Sequence, residues 1–189
     1  MQVIRAKGYS GTTVDDICSA AGLTKGAFFH HFESKEDLAV AAAEHFSQMA
    51  ERLFGAAPYR KLADPLDRLL GYIDFRAGIL SGPLPQFTCL LGTMVQEAYD
   101  THPAIRRACD TYIGAHASEV AKDIAAAKAL YAPSAQWSAE SLALYTQAVL
   151  QGAFVLAKAR GGPDVARDCI AHLRRYLVQL FHRPTSKEE

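Results

Sequence analysis

Apolar side chains recur every three or four positions along most of this chain, with polar residues between them, and that period belongs to helices. Leu66, Leu69, Leu70, Ile73, Ala77 and Leu80 form one stripe, which Ser81-Gly82-Pro83-Leu84-Pro85 breaks. A second helix is predicted over 87–100, with Leu90, Leu91, Met94, Val95 and Ala98 apolar. Pro103 opens a long one that runs through Ile105, Cys109, Tyr112, His116 and Val120 to about residue 130. After Ala132-Pro133-Ser134, Ser138 precedes a helix ending near Arg160. Gly161-Gly162-Pro163 then turns the chain into a last helix starting at Pro163 or Asp164. No run shows the period of two that marks a half-buried strand, and no segment repeats another. The expected fold class is all-α.

The first third is more finely punctuated. Val3 and Ile4 lie in a short helix over 2–7 that Gly8 ends. Thr12 and Thr13 offer a capping hydroxyl, Asp15 and Asp16 load the first turn with negative charge, and Val14, Ile17, Cys18 and Ala21 follow at helical spacing. Gly22 stops that helix, Leu23 anchors the turn, and Thr24 can cap a second short helix over 25–31, closed by Glu33-Ser34-Lys35. Ser34 caps a longer connector helix with Leu38, Ala42, Phe46, Met49 and Leu53 apolar, until Gly55 and Pro58 interrupt it. Two brief helices joined by a glycine turn make a helix-turn-helix, whose second helix enters the DNA major groove.

The run AGLTKGAFFHHFESKEDL, preceded by GYSGTTVDDI, closely resembles the DNA-binding domain of TetR/AcrR-family transcriptional regulators. Their wording is close to A-G-V-S-x-G-x-x-Y-x-H-F-x-S-K-E-x-L, and the match holds in register at Gly22, Gly26, His31, Phe32, Ser34, Lys35, Glu36 and Leu38. The resemblance implies an N-terminal helix-turn-helix DNA-binding domain with its connector helix over 1–54. It implies a C-terminal helical ligand-binding and dimerisation domain over 55–183, followed by a polar tail over 184–189. It further implies a homodimeric repressor that leaves double-stranded operator DNA when a small-molecule effector binds. Family members carry two or three more helical turns ahead of this first helix, so either the chain starts late or the helix is a stub. Phe29 stands where the family has a tyrosine whose hydroxyl contacts a phosphate.

Thr13, Thr24, Lys25, Gly26, Ala27, Phe29, His30, His31 and Lys35 are the candidate DNA contacts. Gly26 and Ala27 let the helix backbone approach the groove, and Lys25 can donate to guanine or to phosphate. Lys35, at the start of the connector helix, is the leading phosphate candidate, helped by the unpaired amides around it. His31 either contacts the DNA backbone or caps, and Phe28 and Phe32 are read as core. The ring pair His30-His31 points about 100° apart on a helix, which argues against a shared metal ion.

In the C-terminal part, Tyr72, Cys89, Gln96, Tyr112, His116 and Tyr145 are candidate ligand-pocket residues. They belong to a wider set with Asp74, Arg76, Tyr99, Gln147 and Lys158, polar tips among apolar helices. Long stripes on the last two helices, Leu142, Tyr145, Val149 and Gly152 with Leu173, Tyr176, Leu177 and Leu180, suit either a dimer interface or ordinary core. The family's dimerisation through its last two helices tips the reading to the interface. The segment FTCLLGTMVQEAYDTHPAIR is similar to the corresponding helix in a family branch that includes electrophile- and oxidant-responsive repressors, with Thr88 in place of the usual glycine. Cys89 is then either a reactive thiolate near a helix N-terminus or a buried inert thiol.

Composition narrows this picture without redirecting it. Half of the 189 residues are hydrophobic, enough for a core. No apolar run approaches the roughly 20 residues that span a bilayer, and no signal peptide precedes the fold, so a soluble cytoplasmic protein without membrane partners is expected. Cys18, Cys89, Cys109 and Cys169 form no C-x-x-C pair, which gives no reason to expect zinc or disulfides. With no nucleophile elbow, phosphate loop or dinucleotide turn, neither an enzyme nor a cofactor is expected. Net charge is zero, and Arg5, Lys7, Lys25, Lys35 and Arg52 face seven acids up to Phe54, so the DNA reading rests on the motif and not on bulk charge. The acidic balance, Phe29 and the short first helix support an alternative: a helical ligand-binding or scaffolding dimer that has lost DNA binding.

Overall fold

In the computed structural model, residues 1–181 are described and their regular structure is helical throughout. The order is α1 Gln2–Lys7, α2 Val14–Ala21, α3 Lys25–His31, α4 Lys35–Gly55, a 3-10 turn at Pro58–Lys61, α5 Pro65–Gly78, α6 Leu84–Phe87, α7 Leu90–Ala98, α8 Pro103–Tyr131, α9 Ala139–Arg160 and α10 Asp164–Phe181. The polar tail expected over 184–189 lies outside the described residues.

Two compact units emerge, Met1–Phe54 with Gly82–Ala115, and Gly55–Ser81 with the chain from His116 onward. One break between them follows Phe54. The segment Gly82–Ala115 nevertheless gathers with the first unit, not with the C-terminal part expected over 55–183. Its apolar side explains why: Leu90, Leu91, Met94, Ala98, Ile105 and Cys109 share one buried cluster with Ile4, Tyr9, Ala39 and Ala43. Each leucine-sized side chain buried there contributes about 1.5–3 kcal/mol, so short α1 is held by tertiary packing.

The helix expected over 87–100 is divided. Pro83 sets up the single turn of α6, Thr88 leaves it in an extended conformation with its Oγ1 donating to Leu84 O at 2.8 Å, and Cys89 becomes the N-cap of α7. The second unit is built from α5, the later part of α8, α9 and α10, around Leu66, Leu69, Ile73, Ile124, Leu150, Ile170, Leu177 and Phe181. Asp64 caps α5 by accepting from the amides of Leu66 and Asp67, and left-handed Gly161 turns α9 into α10.

Among the described residues α9 is long and apolar enough, by length and composition, to cross a membrane, which the sequence reading did not anticipate. Leu142, Leu150, Phe154 and Ala157 on one side of it are buried in the second unit. Leu144, Tyr145, Val155 and Leu156 on another side are exposed.

A candidate DNA-reading head and a buried polar array

The contacts that set the helix ends of the helix-turn-helix are short in sequence. Thr13 and Asp16 form a reciprocal capping box: the Asp16 amide donates to Thr13 Oγ1 at 3.1 Å and the Thr13 amide to Asp16 Oδ2 at 2.9 Å. Lys7, whose Nζ donates to Asp16 Oδ1 at 2.6 Å, and then Thr13 hold the Asp16 carboxyl down at about 2. Gly22 takes the left-handed conformation, φ 65°, that ends α2. Thr24 Oγ1 then accepts from the Ala27 amide at 3.2 Å and starts α3 at Lys25.

Phe28 is buried and ties α3 to its support, with half-buried Phe32 beside it at a ring separation of 5.7 Å. Thr13, Thr24, Lys25, Gly26, His30 and His31 are exposed, and Ala27 is half-buried. Phe29 is 57% exposed, its ring edge-on to Phe28. Lys25 Nζ lies 3.0 Å from Asp15 Oδ1, an ion pair at the surface. The start of α3 is therefore open to a large partner, and its one full cation is lightly tethered.

Lys35 departs from its expected role. Its ammonium donates to the carbonyls of Tyr9 at 3.0 Å and Thr12 at 2.9 Å and sits 4.3 Å from the centre of the Tyr9 ring. A side chain expected to reach phosphate is turned inward to lock the turn that feeds α2. From α7, Glu97 reaches the same turn, where its Oε2 accepts from the Ser10 amide at 2.8 Å. Gly8, at φ 81° and ψ 165°, makes room for that carboxylate. Tyr9 and His102 meet edge to face at 5.1 Å. Arg5 Nη1 donates to Thr88 O at 3.1 Å, just before the Cys89 cap. Cys89 is half-buried, and its Sγ accepts from the Gly92 amide at 3.4 Å. Cys109 is buried, its thiol pushed up to about 12 by burial and then by the nearby Cys89 charge.

The expected pocket residues do not form one group. Cys89, Gln96 and Tyr112 belong to the first unit, where Gln96 Nε2 donates to Gly92 O of its own helix. Tyr145 lies on the surface of α9 against Tyr176, ring centres 5.3 Å apart. Tyr72 and His116 do meet, inside the second unit. Gln147 Nε2 donates to the Tyr72 hydroxyl at 3.2 Å, and that hydroxyl lies 2.9 Å from His116 Nε2. Burial, then Arg76 and Arg60, brings the His116 pKa to about 3, so the ring is neutral and Tyr72 is assigned as donor to Nε2.

Tyr59 joins this array and was missed from sequence. Its ring is 6.0 Å from that of Tyr72, edge to face. A tyrosine beside two cations in a proline turn, Pro58-Tyr59-Arg60-Lys61, was the available signal. Among the described residues no three His, Cys, Asp or Glu side chains gather as metal ligands.

A family model for bacterial regulatory proteins of the tetR family matches residues 1–42, and one for the tetracyclin repressor-like C-terminal domain matches residues 65–173, more than half of the chain. The chain belongs to the tetR family. It is similar to the HTH-type transcriptional repressor DhaR of Mycobacterium sp. (strain GP1), 31% identical over 105 residues that cover 56% of this chain and 51% of DhaR. It is 33% identical to the transcriptional regulator AcuR of Cereibacter sphaeroides over 96 residues, 46% of this chain and 44% of AcuR. The chain thus spans about half the length of these relatives. A solved TetR transcriptional regulator from Chloroflexus aurantiacus J-10-FL superposes with a TM-score of 0.80 at 26% identity, over 94% of this chain and 89% of that one.

In this tetR-family chain the residues expected at a dimer interface divide by face. Leu142, Leu173 and Leu177 are buried in the core of their own unit. Tyr145, Gly152 and Tyr176 are exposed, and Val149 and Leu180 half-buried. Leu144, Val155 and Leu156 belong with these; Leu156 lies on the stripe legible in the sequence, whereas Leu144 and Val155 were not singled out there.

Proposed function

We propose that this tetR-family chain is a dimeric transcriptional repressor that binds operator DNA in the cytoplasm through α3 and lets go of it when a small-molecule effector binds. The observation that carries the DNA half is the capped, exposed start of α3, where Thr24, Lys25 and Gly26 stand clear while Phe28 alone anchors the helix from below. A helix presented that way fits the major groove, and small residues at its start allow backbone approach. The name of DhaR supports repression over activation. The exposed apolar face of Leu144, Tyr145, Val155, Leu156 and Tyr176 supports a homodimer, because an aqueous monomer gains nothing from leaving it bare. Release is a population shift, in which an effector preferring the arrangement with wrongly spaced recognition helices weakens DNA binding by that preference.

Selection of binding sites from a random duplex pool tests this reading. The enriched sequence is expected to be a pseudo-palindrome with half-sites about one or more helical turns apart. Leu156→Glu is expected to yield monomers by light scattering and to lose the palindromic site. A pool that enriches nothing, from a well-folded dimer, would leave the scaffolding alternative in possession.

A second reading concerns a covalent effector. Cys89 is half-buried and caps α7, and the Arg5 guanidinium lies near it. The α7 helix also touches the turn feeding α2 through Glu97 and Ser10, so a change at Cys89 has a short route to the reading head. Alkylation rates for the four thiols decide it: Cys89 is expected to react first and release DNA, and an unreactive Cys89 sinks the covalent route.

A further inference from the structure

The polar array of the second unit holds a donor that its own residues do not use. Tyr59 is 5% exposed, and among the described residues its O–H meets no acceptor, the polar side chain beside its oxygen being Arg60, itself a donor. The Arg60 guanidinium lies over the face of the Tyr59 ring, 5.3 Å from its centre, and Phe75 flanks the ring at 5.9 Å. A buried phenol left in this state is a standing cost that an incoming acceptor removes. Tyr72 and Gln147 are buried beside it, whereas His116 and Arg76 are half-buried, so the array is reachable from their side.

Cations outnumber carboxylates beside it: Arg60 and Arg76 lie near His116, and one carboxylate, Asp123, lies near Tyr59. The Arg76 guanidinium carbon lies 5.9 Å from the Tyr72 ring centre and 5.7 Å from that of Phe154. Asp123 is already shared by Arg68 at 2.7 Å and Arg60 at 3.6 Å. The His116 ring is kept neutral by burial and by Arg76 and Arg60, so it serves as a neutral hydrogen-bonding group, and the neighbouring cations disfavour a cationic ligand. An acceptor bearing one negative charge satisfies Tyr59 and is favoured by the neighbouring arginines, while the rings of Phe75 and Phe154 suit an apolar body.

We propose that the array around Tyr59, Tyr72, His116, Gln147 and Arg76 is the effector site and takes the carboxylate of a small organic acid with an apolar chain or ring. This rests on the effector-released regulator described above and names the class of its ligand.

The test uses the full chain without DNA. Alkyl and aryl carboxylates are compared with the primary amide and the alcohol of the same skeleton, and with inorganic phosphate, by thermal melting and titration calorimetry. At least one carboxylate is expected to raise the Tm and to bind about tenfold or more tightly than its amide, the difference a charge-assisted hydrogen bond makes. Tyr59→Phe is expected to melt at the same or a higher temperature, since an unsatisfied hydroxyl is removed, yet to bind the acid about tenfold more weakly. Arg76→Gln is expected to weaken the acid as much and to leave the amide unchanged.

Equal binding of acid and amide, wild-type affinity in both variants, the same shift with inorganic phosphate, or no carboxylate that binds would each overturn the site. Operator binding is then measured separately. A chain that binds DNA but no acid overturns the site and leaves the repressor reading standing. An acid that binds through Tyr59 and Arg76 but leaves DNA affinity unchanged overturns the effector role.

Discussion

The reading head and the polar array are held by opposite kinds of contact. Around α2 and α3 the deciding bonds join residues three apart, Thr13 with Asp16 and Thr24 with Ala27. In the array, Tyr72 meets His116 across 44 residues and Gln147 across 75. The helix ends of the head are set locally, and its exposed residues can change without disturbing them. The array exists only when distant helices come together, so a ligand there acts on packing and not on a single loop. That difference suits a protein in which one part reads a fixed duplex and the other reports a variable solute.

Breaking the frame of the head without touching a DNA-facing residue is expected to have the largest effect. Gly8→Ala forces a side chain into a backbone region that is glycine's alone and displaces the Glu97 carboxylate from the Ser10 amide. The backbone strain alone is worth about 1–3 kcal/mol. Urea unfolding is expected to show that loss, together with weaker DNA binding; an unchanged midpoint would mean that the turn is not the clamp it looks to be.

The array responds to pH in a higher window than the Asp16 carboxyl of the head, which is held at about 2. With the folded-state pKa of His116 near 3, below that of the unfolded chain, the unfolded state binds the extra proton between about pH 6.5 and pH 3. Stability from this residue is complete above the unfolded value and is lost as pH falls through that window, by about 2 kcal/mol at pH 5. His116→Gln is expected to flatten that part of the pH–stability curve. A slope that survives the substitution assigns it to other groups.

These two regions were not equally legible. Caps at Thr13 and Thr24 and the turn at Gly22 could be read because helix ends are settled by neighbours a few residues away. The inward bonds of Lys35 were not legible because its partners are backbone carbonyls 26 and 23 residues upstream, which no side-chain pattern announces. Leu142, Leu173 and Leu177 looked like interface because a helical period says which residues share a face, not whether that face is used within the protomer. Tyr59 was invisible for a similar reason, since its place depends on where Tyr72 arrives. The break at Thr88 was hidden by an apolar pattern that runs through it, although Pro85 stood nearby.

Lys35→Met sharpens the contrast inside the head itself. Loss of two charge-assisted hydrogen bonds at a half-buried site is expected to cost about 1–2 kcal/mol of stability. The salt dependence of DNA binding is expected to stay as it was, whereas removal of a true phosphate contact lowers the slope by about one. The smallest effect belongs to Asp15→Asn, which frees Lys25 and removes a negative charge beside α3. Stability is expected to move by less than about 1 kcal/mol. DNA affinity is expected to rise, and a fall would show that Asp15 orients Lys25 for its contact.

The claim that α3 reads sequence is tested most directly by fluorescence anisotropy on a selected duplex and a scrambled one, across a salt series, for the wild type and Lys25→Ala. The wild type is expected to prefer the selected duplex by about a thousandfold or more, with Lys25→Ala losing about 1–3 kcal/mol of that preference and little on scrambled DNA. Equal affinity of the wild type for both duplexes at every salt concentration would contradict the account.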